Sequence, residues 1–497
     1  MDLSQAYASV GTDLVATFSM VLVSVVGLVM VVVDAFRNDD RSIPWMAGFA
    51  FLAAMVWEFF ALGNEPGTAF HGAVRTGGYA AFVNLIILGS GFLTVLLSVP
   101  YLGRIKHDYG EVYALLMFAT TGMILLGTAN TLISIFVGLE TMSICLYVLT
   151  GLVRENEGSI ESALKYFLLG AFSTGFFLYG IALIYGATGT MTLPEMAGTV
   201  SEGAVMFWAG VALLMIGFMF KVSAAPFHMW TPDVYQGAPT TLTGYMSTAT
   251  KASAFASLIL VLYYALPPER WSLVLAVIAV ITMVIGNVLA LSQPNVKRML
   301  AYSSIAHAGY VLVGLAAGTA AGYSGALHYL LVYAVMNIGA FGVMAFLEWD
   351  GNEGRVQTLN SLAGMGQQRP LLGVTMGVFM FSLTGLPPLA GFTGKYFVFA
   401  PAVDAGLTWL VFIGVLMSAV SAYYYLRVIY VFWMQSADEV PEAAQVEPAT
   451  LPALPMAPAT VLVVCAVALL VLFVLSGNVI GFAGGFFEAA SAMAATP

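Results

Sequence analysis

The amino-acid sequence predicts an all-α polytopic membrane protein with about fourteen transmembrane helices. Of the 497 residues, 60% are hydrophobic and only 8% are charged, and apolar runs recur along the whole length. About 20 apolar residues cross a bilayer as a helix. The segments between the runs are short, so little polar chain remains to cover them in water. The composition therefore disfavours a soluble bundle of buried helices.

Each apolar run is long enough to form one membrane span. The predicted spans lie near residues 10–33, 42–63, 78–99, 110–128, 131–153, 160–186, 203–235, 239–265, 270–292, 296–318, 323–347, 371–401, 405–433 and 457–482. The N-terminal segment MDLSQAYASVGTD lacks the positive charge of a cleavable signal. We therefore expect the first run to be retained as a span.

Two of these spans, 203–235 and 371–401, are interrupted. The first contains KVSAAPFHMWTPDVYQGAPT, in which Pro226 follows Lys221, and the second contains GLPPLAGFTGK, in which Pro387 and Pro388 precede Lys395. Proline removes a backbone donor and distorts a helix. Each proline could mark only a kink. Broken helices in corresponding positions are, however, typical of inverted repeats that enclose a site.

The breaks fall in helices 7 and 12, the fourth members of two successive five-helix sets. The sequence therefore predicts two inverted repeats, helices 4–8 and 9–13. The predicted units are a three-helix extension (1–109), the first repeat (110–268), the second repeat (269–434), an acidic linker rich in Pro and Ala (435–456), and a C-terminal helix with its tail (457–497). We expect the linker to be a solvated loop, with partner contact as the alternative.

Charged residues inside the spans are the main functional signal. They are Glu140, Lys165, Lys221, Lys251 and Lys395. A charge at the centre of a membrane helix costs about 2.5 to 3.5 kcal/mol on insertion scales, and such residues usually face a wet cavity or an ion pathway. Lys165 has an alternative role, because Glu161 lies one turn before it and could form an interfacial ion pair. Three acids nearer the span ends are predicted to be solvated or interfacial: Asp13, Asp34 and Glu58.

Three histidines extend this pattern: His228, His307 and His328. An imidazole can donate and accept a proton near neutral pH, so these residues could form part of a proton relay. Each could instead be a hydrogen-bonded packing residue. Polar neighbours in the second half could complete a hydrated line: Tyr302, Ser303, Ser304, Tyr333 and Asn337.

Basic residues are distributed unevenly among the predicted loops. Those after odd-numbered helices hold ten of the 16 Lys and Arg residues: Arg37, Arg41, Arg104, Lys106, Arg154, Lys297, Arg298, Arg355, Arg369 and, near a helix end, Arg427. Those after even-numbered helices hold only Arg75 and Arg270. Because basic loops stay in the cytoplasm, both termini are predicted to face the outer side of the membrane. The net charge of −10, without a basic stripe, disfavours nucleic acid as a partner.

Several motifs around these residues resemble the antiporter-like membrane subunits of respiratory complex I. They include GLETMSICLYVLTG around Glu140, ESALKYFLLGAFSTGFFLYGIALIYG around Lys165, STATKASAF around Lys251, NVKRMLAYSSIAHAGYVLVG around His307 and GLPPLAGFTGKYFVF up to Lys395. The resemblance extends from about residue 110 to about residue 430. A lysine at position 395, the three N-terminal helices and a short C-terminal region favour one subunit type within that family.

The resemblance implies a proton-pumping module of the membrane arm. In this scheme Glu140 and Lys221 form a charge pair and Lys251 is the central relay. Lys165 assists on the cytoplasmic side, and Lys395 passes protons towards the outer half channel. A subunit of a multisubunit cation/proton antiporter is the alternative. A stand-alone solute transporter, which would need a substrate-sized pocket, belongs to a third class.

No redox motif is present in the sequence, neither a Gly-rich dinucleotide loop nor a CxxC cluster. NADH, FMN, iron–sulfur clusters and quinone are therefore expected on other subunits, with no cofactor or metal in this chain. The expected location is a bacterial inner membrane, in contact with the lipid bilayer and other membrane-arm subunits. The isolated chain is expected to be inactive. Cys145 and Cys465 are predicted to be small core residues.

Overall fold

The structure is a computed structural model that describes residues 3–36, 42–196, 205–348, 358–436 and 453–494. The described chain is helical apart from a short antiparallel hairpin of β1 (Gly67–Ala69) and β2 (Val74–Thr76). The predicted acidic linker lies mostly outside the described residues, as do Arg37, Arg41 and Arg355. The predicted all-α membrane class is confirmed.

The helices follow the predicted spans closely. They are α1 (Leu3–Ala16), α2 (Phe18–Phe36), α3 (Ile43–Ala61), α4 (Gly78–Arg104), α5 (Gly110–Gly127), α6 (Leu132–Thr150), α7 (Glu157–Thr188), α8 (Leu193–Met196), α9 (Val205–Lys221), α10 (Trp230–Gly237), α11 (Thr240–Tyr264), α12 (Pro268–Leu291), α13 (Val296–Ala316), α14 (Ala320–Leu347), α15 (Met365–Gln368), α16 (Pro370–Thr384), α17 (Ala390–Asp404), α18 (Thr408–Trp433), α19 (Met456–Val474) and α20 (Ser476–Ala494).

Among the described residues, 12 helices are long and apolar enough to cross a membrane, and α9 and α16 are shorter apolar helices. Two predicted spans differ in detail. The first begins earlier than predicted and is divided at Thr17 into α1 and α2, and the last is divided into α19 and α20. Apolar length alone does not reveal where such a helix is interrupted.

The two ends of the bundle have different features. The basic end carries Arg104, Arg154, Arg298 and Arg369, which lie at or next to the ends of α4, α6, α13 and α16. The opposite end carries the β1–β2 hairpin, and we call it the hairpin end. Because α4 runs from Gly78 beside the hairpin to Arg104, these two groups are separated by the length of a membrane helix.

Both predicted breaks are present, and side chains satisfy their backbone groups. Between α9 and α10, the Thr282 hydroxyl accepts a hydrogen bond from Ala225 N at 3.0 Å, and Trp230 Nε1 donates to Phe220 O at 2.9 Å. Between α16 and α17, Ser382 Oγ accepts from Gly391 N at 3.1 Å. Irregular backbone at membrane depth requires such internal partners.

Gly385 ends α16 with a φ of 91°, a left-handed conformation that side chains rarely adopt. A Cβ at this position would also lie 2.9 Å from the Lys395 side chain. Glycine is therefore required at this break both for the turn and for the position of the lysine.

The centre of the bundle consists of α11, α13 and α14. All of the apolar span of α11 and of α13 is buried, and most of α14 is buried as well. In contrast, α2, α7, α18 and α19 present most of their apolar surface outwards. Lys251, His307 and His328 lie on the three central helices and are therefore screened from lipid by the surrounding bundle.

Helices α5 and α6 cross at a pair of glycines, which gives a first prediction. A Cβ on Gly122 would lie 2.4 Å from Met142 N and 2.8 Å from Gly138 O. Gly122→Ala should therefore overpack this crossing and lower the free energy of unfolding by about 1–3 kcal/mol. The midpoint of thermal unfolding in detergent measures this effect.

Gly377→Ala on α16 is the matched control, because a Cβ there meets nothing within 4 Å. We expect it to be neutral or to stabilise by up to about 1 kcal/mol, since alanine has the higher helix propensity. Equal effects of the two substitutions would contradict the tight crossing.

Candidate functional site

Lys251 lies at the centre of α11 with 2% of its surface exposed. Its Nζ donates to Ser304 O at 2.6 Å and to Ser304 Oγ at 2.5 Å. Both acceptors are neutral and belong to α13. The amine is thus fixed between the two central helices, and none of the ion pairs within 4.0 Å in the described chain involves it.

Lys221 is the last residue of α9 and points back into the bundle from the first break. Its Nζ donates to Ser143 Oγ at 2.7 Å and lies 5.6 to 5.9 Å from the ring centres of Tyr147, Tyr166 and Phe220. The faces of aromatic rings attract a cation. This pocket therefore stabilises the charged form of the amine more than a pocket of aliphatic side chains would.

Glu140 does not contact Lys221 directly. Its Oε1 accepts a hydrogen bond from Thr174 at 2.7 Å, and no ion pair within 4.0 Å joins it to Lys221 in the described part of the chain. Ser143, which binds Lys221, lies three residues after Glu140 on α6. The predicted charge pair is therefore separated in this structure, with a serine hydroxyl on the lysine.

Lys395 lies beside the second break, on α17. Its Nζ donates to Leu383 O at 3.1 Å, Thr384 O at 2.7 Å and Ser418 Oγ at 2.7 Å. The first two acceptors are at the C-terminal end of α16, where carbonyls lack helical partners. The lysine therefore stabilises the broken helix as well as carrying a titratable amine.

His307 connects the central helices to α18. Its Nδ1 lies 2.6 Å from Tyr329 Oη and its Nε2 lies 3.0 Å from Tyr425 Oη. Tyr425 also shares a hydrogen bond with Ser303, the neighbour of the serine that binds Lys251. The ring is buried, and all of these groups can exchange protons or relay hydrogen bonds.

The other two histidines are less connected. His328 Nε2 lies 3.3 Å from Thr393 Oγ1, and its Nδ1 has no hydrogen-bond partner among the described residues. His228 is half-buried in the first break, and its Nδ1 also has no hydrogen-bond partner in the described part of the chain. Hydrogen bonds therefore connect His307 to Ser303, next to the serine that binds Lys251. The side chains of His228 and His328 are not part of this hydrogen-bonded group in the described structure.

Two of the predicted polar neighbours form a second buried group. Asn337 Nδ2 donates to Ser247 Oγ at 2.7 Å and to Tyr333 Oη at 2.8 Å. Tyr302 does not join them, because it lies towards the basic end beside Arg298. The polar region is therefore a set of short hydrogen-bonded groups around α11, α13 and α14.

Lys165 lies at the basic end, with 41% of its side chain exposed. It pairs with Glu161 Oε1 at 2.6 Å and with Asp233 Oδ2 at 2.7 Å. Asp233 on α10 also pairs with Arg298 at 2.6 Å. The ion pair that the spacing of Lys165 and Glu161 suggested is therefore present, and Asp233 extends it to the broken helix.

The buried pair of Lys297 and Glu348 was missed by the sequence prediction. Lys297, predicted to be a loop residue, is only 2% exposed, and its Nζ lies 3.6 Å from Glu348 Oε1 and 2.9 Å from Ala238 O. Glu348 also accepts hydrogen bonds from Tyr101 at 3.0 Å and from Thr240. Both charges lie within two residues of a helix end, a position that usually indicates solvent.

Two cavities approach the buried lysines. One of about 430 Å³ at the basic end extends from Lys165 and Asp233 to the Lys297–Glu348 pair. Another, of about 650 Å³, lies beside Lys395 and is also lined by Thr384 and Ser418. The first is polar and charged, and the second is largely apolar.

The described residues contain no group of three or more His, Cys, Asp or Glu side chains that could hold a metal ion. Cys145 and Cys465 are buried free thiols, which confirms their prediction as core residues. Neither lies in the hydrogen-bonded groups around the three lysines.

The similarity of this chain to known proteins agrees with the fold and the site described above. Residues 129–421 match the family model described as NADH:quinone oxidoreductase/Mrp antiporter, transmembrane. NADH-quinone oxidoreductase subunit N of Salinibacter ruber is 68% identical over the whole of both chains. The chain belongs to the subunit N family of NADH-quinone oxidoreductases. The predicted antiporter-like resemblance is confirmed.

Another subunit N relative, from Trichlorobacter lovleyi, is 47% identical and covers 88% of this chain and 91% of its own. Among solved structures, a chain of respiratory complex I from Thermus thermophilus has a TM-score of 0.80 and 36% identity, covering 94% of this chain and 99% of its own. A chain of the Mrp complex from Dietzia has a TM-score of 0.83 at 20% identity, covering 96% and 97%, which shows the shared fold alone.

The subunit N chain described here is thus an antiporter-like membrane subunit of NADH:quinone oxidoreductase, with buried charged residues on its central helices. The predicted resemblance between about residues 110 and 430 agrees with the matched family range of 129–421. The segment before this range, which contains α1 to α5, is included in the full-length sequence match to the subunit N relative.

Proposed function

We propose that this subunit translocates protons along a buried line formed by Lys221, Lys251 and Lys395. Lys251 is the central carrier, and Lys395 passes protons towards the hairpin end. His307 is the proposed link between the last two lysines. Lys165 gathers protons at the basic end.

The observation that carries this proposal is the environment of the three amines. Lys221, Lys251 and Lys395 are 5%, 2% and 6% exposed, and their hydrogen-bond acceptors are hydroxyls and carbonyls. A buried cation without a carboxylate partner is costly, so a change nearby can drive its proton off. Moving one proton against 100 mV requires about 2.3 kcal/mol, which two pKa units of change can supply.

Glu140 is the proposed trigger. It lies half-buried on the face of α6 that also presents Ile133, Val137, Ile144 and Val148 outwards. A neighbouring membrane-arm subunit on this apolar face would change the surroundings of the carboxylate. Because Ser143 on the same helix binds Lys221, a shift of Glu140 towards or away from Lys221 would alter the stability of the charged amine.

The directions of the two broken helices support the inverted repeats. The first break leads to α10, which ends beside Lys297 at the basic end, since Lys297 Nζ bonds Ala238 O at 2.9 Å. The second broken helix begins there, because Gly373 O on α16 accepts from Trp433 at the end of α18. The α9–α10 unit and the α16–α17 unit thus run in opposite directions. This supports about fourteen crossings with repeats at 110–268 and 269–434.

The same proposal gives the chain its orientation and partners. The basic end would face the cytoplasm, so both termini lie outside. The remaining proposed units are the extension 1–109, the linker 435–456 and the C-terminal segment 457–497. NADH, FMN, iron–sulfur clusters and quinone would bind to other subunits, and proton movement would depend on the assembled complex in its lipid bilayer.

Lys221→Met tests the proposal in the purified complex reconstituted into vesicles. Methionine keeps the apolar stem but removes the amine that Ser143 binds. We expect the initial rate of NADH-driven proton uptake to fall at least about tenfold, equivalent to a barrier higher by about 1.4 kcal/mol.

Ser173→Ala is the control, because Ser173 is buried on α7 and its hydroxyl has no hydrogen-bond partner among the described residues. It should pump like the wild type. Full proton uptake by an assembled Lys221→Met complex would contradict the proposed line. A cation requirement for pumping would favour the cation/proton antiporter alternative.

A further inference from the structure

The N-terminal helices contain a buried carboxylate that the lysine line does not use. Glu58 on α3 was predicted to be a solvated or interfacial acid, but only 6% of it is exposed. Glu58 lies near the end of a predicted span, and the sequence does not show that α2 and α4 pack against it. The prediction was wrong because neighbouring helices cover this face of α3.

Polar groups from two other helices hold this carboxylate. Ser19 on α2 donates a hydrogen bond to Glu58 Oε1, and Asn84 Nδ2 on α4 donates to the same oxygen at 2.8 Å. No ion pair within 4.0 Å includes Glu58 in the described regions. An ionised carboxylate buried without a cation is costly, and uptake of a proton removes that cost.

A cavity gives this group access to solvent. Its volume is about 610 Å³, and it extends from Glu58 to the hairpin end, where Glu65 and Arg75 also line it. Asn84 lines it too and is 5% exposed, and in the described structure its Oδ1 has no hydrogen-bond partner. A buried acceptor facing a polar cavity indicates that the cavity holds a hydrogen-bond donor such as water or hydronium.

We propose that Glu58 is a second proton-binding site of this subunit, loaded from the aqueous phase at the hairpin end. Hydronium transfers its proton to Glu58 Oε2 and leaves water, while Oε1 keeps its bonds from Ser19 and Asn84. The reverse step returns the proton to the cavity. The other charged groups that line the same cavity are Glu65, which follows α3, and Arg75 on β2, and α1, α2, α4 and α5 contribute polar or apolar side chains.

This site is separate from the proposed lysine line, because none of its hydrogen bonds reaches Lys221, Lys251 or Lys395. It would act as a proton store on the side opposite to Lys165. Its existence can therefore be tested whether or not the lysines carry protons.

Cysteine accessibility in membrane vesicles of known orientation tests the cavity. Glu58→Cys and the nearly isosteric Ser19→Cys should react with a charged, membrane-impermeant thiosulfonate added at the hairpin end. Ala54→Cys is the matched control, since Ala54 is buried one turn earlier on α3 and does not line the cavity. We expect at least about tenfold slower labelling of the control.

Infrared difference spectra of the whole complex test the proton itself. A protonated carboxyl band that changes with pH and shifts in D₂O should be present in the wild type and absent in Glu58→Gln. Labelling of neither Glu58→Cys nor Ser19→Cys, labelling only from the basic end, or an unchanged band in Glu58→Gln would each overturn the proposal.

Discussion

Replacement of Lys251 by methionine is expected to reduce proton translocation by the assembled complex at least about tenfold, a loss as large as that expected for Lys221→Met. Lys251 is the only charged residue of α11, and residues 240–262 of α11 are all buried. No neighbouring amine or carboxylate on that helix could carry the proton instead. The measurement is NADH-driven acidification of vesicles, normalised to the amount of assembled subunit.

Lys251→Arg separates two explanations of this loss. Arginine keeps the positive charge but does not release its proton in proteins. If Lys251 only supplied charge, arginine would restore pumping. We expect that it does not, because a carrier must release the proton that it accepts. An arginine variant that pumps at the wild-type rate would refute the carrier role.

Ser257→Ala is the control for disturbance of α11. Ser257 is buried on the same helix, and its hydroxyl has no hydrogen-bond partner in the described structure. Removing an unpartnered buried hydroxyl should be neutral or slightly stabilising. This variant should assemble and pump normally. If it also lost proton pumping, the loss in Lys251→Met would be explained by altered packing of α11.

The parts of the fold that the sequence predicted correctly depend on local physical constraints. A span must be apolar for about 20 residues, and proline removes a backbone donor wherever it occurs. These two rules identified the long helices and the breaks near Pro226 and Pro387. Charges within apolar runs likewise marked Lys221, Lys251 and Lys395, because their cost depends on depth in the membrane.

The parts that the sequence did not predict depend on packing between distant segments. Glu58 is buried because Ser19 and Asn84 cover it from two other helices. Lys297 is buried because Ala238 and Glu348 meet it at the basic end. Position along a helix indicates depth in the membrane but not which neighbour covers a side chain. Glu58 and Lys297, which lie near helix ends, were therefore wrongly assigned to solvent.

Lys165 shows how the two kinds of information combine. Its spacing from Glu161 predicted an ion pair, and that pair is present at 2.6 Å. Asp233, which contacts both Lys165 and Arg298, was not predicted, because it lies 68 residues from Lys165. Through Asp233 the lysine is tied to α10, so movement of the broken helix would alter the charges that line the cavity at the basic end.

The Lys297–Glu348 pair gives the largest expected effect on stability. Both side chains are buried, with 2% and 9% exposed, and Nζ lies 3.6 Å from Oε1. Lys297→Met would leave the Glu348 carboxylate without its cation. Breaking a buried pair from one side costs about 3–5 kcal/mol, so little assembled complex should be recovered. The midpoint of thermal unfolding and the yield of complex measure this loss.

Glu348→Gln in the Lys297→Met background should recover most of that stability. The double variant removes both charges, whereas Tyr101 and Thr240 can still bond the side-chain oxygen of glutamine. A double-mutant cycle then gives the coupling energy of the pair. As a comparison, Glu161→Gln affects a pair whose side chains are 41% and 64% exposed, and it should cost no more than about 1 kcal/mol.

Proton pumping by the recovered double variant decides what the pair does. The cavity that begins at Lys165 ends at Lys297 and Glu348, so a proton that leaves the basic end for the central lysines must pass these groups if they belong to the route. A neutral methionine and glutamine cannot hand it on. We therefore expect an assembled double variant with impaired pumping. Normal pumping would limit the pair to anchoring α13 against the end of α14, and would require protons to reach Lys251 elsewhere.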